Sequence, residues 1–212
     1  MKVTSVSRYK GTTFQVELDD SRRLYLHIDV ITDFSIKAGM ELERDELKKI
    51  VYASNFRRAY QRSLHLLDYR DYSSAEMLGK LIENYKSEPL CRAVLKKLTD
   101  NGLISDERYA ERMARKLVES KKLGYRRAKR EIMQKGISEF LADDALAPYS
   151  DMFGENLMEL LRTKHCRTLT DKDDRKAVEK VKNSLVRYGY DFSEINRAVK
   201  EYFENINTEE DN

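Results

Sequence analysis

Between Arg112 and Lys135 the sequence gathers Arg112, Arg115, Lys116, Lys121, Lys122, Arg126, Arg127, Lys129, Arg130 and Lys135 against only Glu119 and Glu131. Cations at this density hold phosphates by releasing counterions, or dock into an acidic protein groove by complementarity. A charge run on a helix is more often a solvated face, but the local imbalance of sign favours a binding surface. A smaller cluster, Arg57, Arg58 and Arg62, accompanies Tyr60 on an earlier helix, and there both readings stand. Tyr109, Tyr125 and Tyr188 could stack on bases. Their helical spacing fits core tyrosines whose hydroxyls reach the surface better.

Catalytic chemistry has no comparable concentration. Neither G-x-x-x-x-G-K-[ST] nor G-x-G-x-x-G occurs. His27, His65 and His165 are scattered, and His165-Cys166 stands without metal-ligand spacing. Asp171, Asp173 and Asp174 could be read as a divalent-ion site of nuclease type. Acids crowding the start of a helix, where they complement its dipole, explain them more simply. No catalytic residue, metal or cofactor is expected.

The 212 residues carry 40 basic and 37 acidic side chains, a net charge of +3. A balance this mild says nothing about nucleic acid; only the distribution of charge can. Charged residues make up 36%, well above the roughly 25% of ordinary globular chains. With 2 prolines and 8 glycines, helices can run long, each burying one stripe and solvating the rest. Cys91 and Cys166 form no disulfide framework. The opening Met1-Lys2-Val3-Thr4 lacks a signal-type apolar run, and no stretch approaches about 18 apolar residues. A reducing, cytoplasmic setting without a membrane partner is the expectation.

The elements that position the cations follow from periodicity. Residues 3–9, 13–18, 22–28 and a fourth candidate, 30–36, alternate apolar with polar and are parted by turn signals at Lys10-Gly11 and Asp19-Asp20-Ser21. They read as a small antiparallel sheet over 1–42, closed by Gly39. From about Glu43 the period becomes helical, with Met77, Leu78, Leu81, Ile82 and Tyr85 as one clear stripe and Val178, Val181, Leu185 and Tyr188 as another. Ser73 and Glu76 have capping-box spacing, and Pro89 suits a first helical turn. Gly102, Gly136 and Gly189 each end a helical run and precede Leu103, Ile137 and Tyr190, the pattern of a left-handed glycine cap with its hydrophobic contact. Gly136 and Gly189 stand 53 residues apart, and Lys86 lies 50 before Gly136. That period predicts about nine helices in tandem three-helix units over 43–106, 107–150 and 151–206, then a frayed acidic tail over 207–212.

Three stretches match a known family. Residues 103–110, LISDERYA, closely resemble the junction between the first and second repeats of the RecX family. Residues 123–137, LGYRRAKREIMQKGI, look like its other hallmark, K-G-x-x-x-I-x-x-E-L-x-x-K-G-I. Residues 66–73, LLDYRDYS, are similar to its opening L-x-x-R-x-x-S, with Glu76, Leu78, Lys80 and Leu81 following at family spacing. The resemblance runs from about Ala53 to Phe203. Departures are Ser105 in place of the junction's first acid, Leu123 where a cation is common, and no glycine near Lys86, so that turn is expected to be built by Ser87 and Pro89.

The resemblance implies a mainly helical protein of three tandem three-helix repeats, bent into an elongated arc and preceded here by the small sheet. It implies a monomeric regulator of DNA repair and the SOS response. Such a protein lodges in the groove of RecA filaments on DNA, suppresses ATP hydrolysis, strand exchange and co-protease activity, and has no catalysis of its own. Some members also bind single- or double-stranded DNA. From the residues alone, a stand-alone DNA-binding regulator with residues 125–135 as the reading helix of a helix-turn-helix remains the alternative. A helical scaffold for another protein is the blander one.

Overall fold

The computed structural model describes residues 1–210, with side chains to residue 205. The tail expected over 207–212 therefore lies outside the described side chains. Contacts divide the chain into two compact units. One comprises Met1–Asp71 and Met77–Leu103; the other comprises Tyr72–Glu76 and the chain from Ile104 onward.

In the first unit, β1 (Val3–Lys10), β2 (Thr13–Leu18) and β3 (Arg23–His27) form an antiparallel sheet in the order β1-β2-β3. The register pairs Val6 with Val16 and Val16 with Leu24, so alternate residues share one apolar face. That face packs with Val30, Ile31, Leu42, Leu47 and Ile50 into a core of its own. The fourth candidate strand is instead a short helix, α1 (Ile28–Asp33). His27 caps it, its Nδ1 accepting from the Asp29 amide at 3.1 Å. Ile28, Ile31 and Phe34 also fit a helical period, which the alternation reading passed over.

Next come α2 (Arg44–Tyr69), α3 (Ser74–Tyr85) and α4 (Glu88–Asp100). α4 starts with Pro89 in its first turn and buries Leu90, Cys91, Val94 and Leu98. The turn before it differs from expectation. Lys86 itself takes the left-handed conformation, φ 51°. Its amide donates to the Ile82 carbonyl at 3.0 Å. The first group therefore makes a helix ending of the glycine type with a lysine, at a conformational cost of about 1 kcal/mol.

The second unit holds α5 (Asp106–Arg115), α6 (Tyr125–Met133), α7 (Glu139–Leu146), α8 (Met152–Leu160), α9 (Arg175–Tyr188) and α10 (Phe192–Glu210). All six feed one core that includes Ala114, Ile132, Leu146, Leu157, Leu185 and Ile195. Ser105 caps α5, its Oγ accepting from the Arg108 amide at 3.2 Å. Ser73 Oγ accepts from the Glu76 amide at 3.1 Å and donates to the Lys135 carbonyl at 2.5 Å. Asp174 caps α9, its Oδ1 accepting from the Ala177 amide at 3.1 Å, so the acids before that helix are its cap. Gly102, Gly136 and Gly189 all have positive φ, as cap residues should. Ile137 and Tyr190 are buried behind the last two. Leu103 is not: after Gly102 it is Ile104 that enters the core.

α5 and α8 both run into a π-helical turn, at Lys116–Ser120 and Leu161–His165. A wide turn frees carbonyls from the regular ladder. The Val118 carbonyl accepts from the buried Asn156 side chain at 3.0 Å. The second wide turn buries His165, whose Nε2 has no hydrogen-bond partner among the described residues. Burial pushes the ring's pKa below its ordinary 6.5, and the neighbouring Lys164 charge adds to the shift. An unfolded chain takes up this proton at a higher pH than the folded one. Stability attributable to His165 is thus full above about pH 6.5 and falls as the pH drops toward the lowered folded value. Urea unfolding at pH 7.5 and 5.5 should show a loss in the parent protein that is smaller in His165→Gln. Equal losses in both proteins would show that other groups carry the acid sensitivity.

Candidate functional site

Two glycines set the geometry of the cationic region. Gly124 precedes α6 and Gly189 follows α9, and the two backbones touch. A Cβ on Gly124 would lie 2.5 Å from the Gly189 carbonyl carbon and 2.6 Å from the Tyr190 nitrogen. A Cβ on Gly189 would meet the Arg127 Cβ at 2.3 Å, and its φ of 96° already selects glycine. The approach is held by hydrogen bonds from the Gly124 amide to the Tyr188 carbonyl, 2.9 Å, and from the Tyr190 hydroxyl to the Lys122 carbonyl, 2.9 Å. Tyr190 is buried, which drives its hydroxyl pKa well above the ordinary range and keeps it a neutral donor. The start of α6 is thereby fixed against the end of α9.

On this frame the expected basic ridge separates into two populations. The first is committed to the fold. Lys122 ends the preceding helix with φ 52° and reaches Glu159 at 2.6 Å and Asn156 at 3.3 Å. Lys129 bridges Glu139 at 2.7 Å and Asp143 at 2.8 Å. Hydrogen bonds to Asp143, then Glu139, raise its pKa further above that of an ordinary lysine. Asp143 also accepts from the Tyr125 hydroxyl at 2.6 Å, and its own pKa is lowered by Lys129 and then Tyr125. Lys135 meets Glu76 at 3.1 Å, Arg126 pairs with Asp191, and Arg127 meets Glu131 at 3.1 Å while donating to the Arg187 carbonyl at 2.8 Å. Lys121 approaches Glu131 at 3.5 Å.

The second population faces solvent. Lys116 and Arg130 are exposed and make no ion pair among the described residues. Arg112 and Arg115 are exposed on α5, and Tyr149 close to Arg115 raises its pKa. Arg130 lines an open groove with Arg127, Glu131, Gln134, Val186 and Arg187. The tyrosines are engaged at their hydroxyls: Tyr109 donates to Glu76 at 3.2 Å, Tyr125 to Asp143, and Tyr188 is bonded to Lys164.

The earlier cluster, in the first unit, is mostly structural. Arg57 pairs with Asp29, and Arg58 donates to the Tyr25 carbonyl at 2.6 Å, so both brace α2 against the β3–α1 corner. Arg62 is exposed near Tyr85. Among the described residues, no group of three or more His, Cys, Asp or Glu side chains is placed to hold a metal ion.

The sequence expectations include the α9 helix but not its cations. Lys176, Lys180 and Arg187 are exposed along it at helical spacing and make no ion pair among the described residues. The signal was there, since Glu179 is the helix's only acid. Asp171, Asp173 and Asp174 just before the helix balanced the local count and hid it.

Residues 59–98 match the RecX first three-helix domain, and residues 105–146 match the RecX second three-helix domain. The chain is 27% identical over 217 residues to the regulatory protein RecX of Bacillus subtilis (strain 168), covering 99% of this chain and 81% of that protein. A crystal structure of regulatory protein RecX superposes with a TM-score of 0.74 at 25% identity, covering 94% of this chain and 98% of that one. The chain belongs to the RecX family. RecX from Lactobacillus salivarius superposes with a TM-score of 0.65 at 28% identity over 71% of this chain and 97% of that one. The RecX assignment agrees with the mainly helical fold and small three-stranded sheet. No helix among the described residues is long and apolar enough to cross a membrane.

Because the Gly124–Gly189 approach leaves no room for a methyl group, Gly124→Ala should force backbone apart and destabilise the fold by about 3 kcal/mol. Chemical denaturation measures this. A loss below about 0.5 kcal/mol, the scale of a neutral surface change, would mean that the contact can relax.

Proposed function

We propose that this RecX family member is a regulator that binds RecA filaments in their groove and restrains ATP hydrolysis, strand exchange and co-protease activity. The single observation behind the proposal is the match to two successive RecX domains, whose second spans the cationic segment. In this reading the chain consists of three repeats over 43–106, 107–150 and 151–206. It acts as a cytoplasmic monomer without catalysis or cofactor. Arg112, Arg115, Lys116 and Arg130 are the partner-facing cations, while Lys122, Lys129 and Lys135 build the face by fixing its helices. A filament groove offers both protein acids and DNA phosphates, which suits solvent-facing cations on a braced frame. Engaging neighbouring subunits would add affinity through multivalency.

The commitment of Arg127 and Lys129 to intramolecular pairs speaks against α6 as the reading helix of an operator-binding protein. Such a helix needs its side chains free for base edges.

The test is binding to RecA filaments assembled on single-stranded DNA, followed by co-sedimentation. Lys116→Glu combined with Arg130→Glu touches no ion pair and should leave the unfolding midpoint unchanged. Filament affinity should fall about tenfold, since each partly exposed charge contact is worth up to about 1 kcal/mol. Unchanged filament affinity in the folded double variant would overturn this assignment of the contact face. Preference of about a thousandfold for one duplex sequence would favour the operator-reading alternative.

A further inference from the structure

In the first unit, two cavities of about 380 and 200 Å³ adjoin along α2, sharing Val51 and Asn55. Leu47, Tyr52, Tyr85 and Leu90 wall the larger one; Leu24, Tyr25 and Leu26 wall the smaller. Val51, Tyr52 and Tyr25 are exposed. Four cations, Arg22, Arg23, Lys48 and Arg58, complete the lining, and no carboxylate among the described residues joins them. From this union of an apolar groove with an unopposed cationic rim we infer a docking site for an acidic amphipathic helix of a partner protein.

The row along α2 suits a helix. Lys48, Val51, Tyr52, Asn55 and Arg58 recur at three- and four-residue spacing, so they share one face of α2. At 1.5 Å per residue, Lys48 to Arg58 covers about 15 Å, nearly three helical turns. Apolar side chains hold the centre of the row and a cation stands at either end. A partner helix laid along it buries its apolar stripe on Val51 and Tyr52 and sets carboxylates against Lys48 and Arg58. Asn55 lines both cavities, and its side-chain amide makes no hydrogen bond among the described residues.

The fold makes little use of the rim charges. Arg22, Arg23 and Lys48 pair with Asp20, Glu17 and Asp45, acids that lie outside the lining. Pairs between exposed groups contribute little, and an incoming carboxylate can exchange with them. Arg58 spends one nitrogen on the Tyr25 carbonyl, and its other guanidinium donors make no hydrogen bond among the described residues. Arg62, exposed near Tyr85, extends the positive field.

Composition selects the partner class. Protein interfaces concentrate tyrosine, arginine and apolar side chains at their centres. Tyr25, Tyr52 and Tyr85 beside Arg22, Arg23 and Arg58 match that pattern, whereas phosphates alone need no apolar centre. A purely apolar segment would desolvate the cations without pairing them. A segment with one apolar and one acidic face satisfies both. The site is separate from the proposed recombinase contact in the second unit. Most of its lining, residues 22–26 and 47–58, precedes residue 59, where the matched RecX domains begin.

The test uses the full chain without RecA, so its failure leaves the recombinase reading standing. A phage-displayed library of random peptides, about 16 residues long to cover the row, is selected on the immobilised protein. The selected peptides should be rich in Glu and Asp, with apolar residues three and four apart. Synthesised and labelled, they should bind at micromolar concentration by fluorescence anisotropy. Val51→Ala with Tyr52→Ala should weaken binding about tenfold or more, and so should Arg23→Glu with Lys48→Glu. Both variants change exposed side chains and should keep the parent's unfolding midpoint. Lys80→Glu with Lys96→Glu, the same charge change elsewhere on the first unit, should alter little. The inference is overturned if selection yields no binders, or binders without the acidic and apolar pattern. It is equally overturned if the peptides bind both groove variants as they bind the parent, or if the Lys80 and Lys96 variant loses as much. An oligonucleotide that displaces the peptide as well as unlabelled peptide does would mark a phosphate site instead. A dimer in sedimentation that Tyr52→Glu breaks would make a second copy of the chain the occupant; either result overturns the inference.

Discussion

Where the Gly124 backbone lies against that of Gly189, two helix ends approach more closely than any other residue pair would permit. Much of the second unit follows from this contact. The Gly124 amide reaches the Tyr188 carbonyl, the Tyr190 hydroxyl reaches back to Lys122, and the Arg127 guanidinium satisfies the Arg187 carbonyl at the end of α9. Orphan groups at one helix's C-terminus are thus met by the N-terminal segment of another. The six helices α5 to α10 share one core on this account, rather than forming two separate three-helix cores. The same contact brings Arg127 beside the end of α9, where it donates to the Arg187 carbonyl.

Charge in this protein therefore has two tasks that sequence alone cannot separate. Lys129, held between Glu139 and Asp143, and Lys122, held by Glu159, fasten helices together. Their partners lie between ten and 37 residues away, beyond the reach of local counting. Lys116, Arg130, Lys176, Lys180 and Arg187 face solvent in the same unit and supply the positive field. A rigid frame spares such side chains part of the ordering cost that binding imposes, because the helices that carry them are already fixed.

The fold was legible where local physics decides it. Ser105 and Asp174 as caps, the left-handed glycines, and the β-strand alternation through Val16 and Leu26 all depend on neighbours in sequence. Residues 28–34 misled because Ile28, Val30 and Phe34 fit a two-residue period while Ile28, Ile31 and Phe34 fit a helical one, and the His27 cap settles the matter only in three dimensions. Lys86 misled for another reason. The turn geometry persists without its glycine, since the helices on either side fix the backbone more firmly than lysine's conformational preference resists. The site was half legible: the cations were visible, but Arg57 and Arg58 proved to be braces and the α9 stripe was concealed by the acids of its own cap.

The central claim is that this RecX chain acts on RecA. The most direct measurement is the single-stranded-DNA-dependent ATPase rate of RecA from the same source as the protein is titrated from well below to above stoichiometric amounts. The account predicts that the rate falls as the protein is added. No change at any ratio, with the protein shown to be folded, would contradict it.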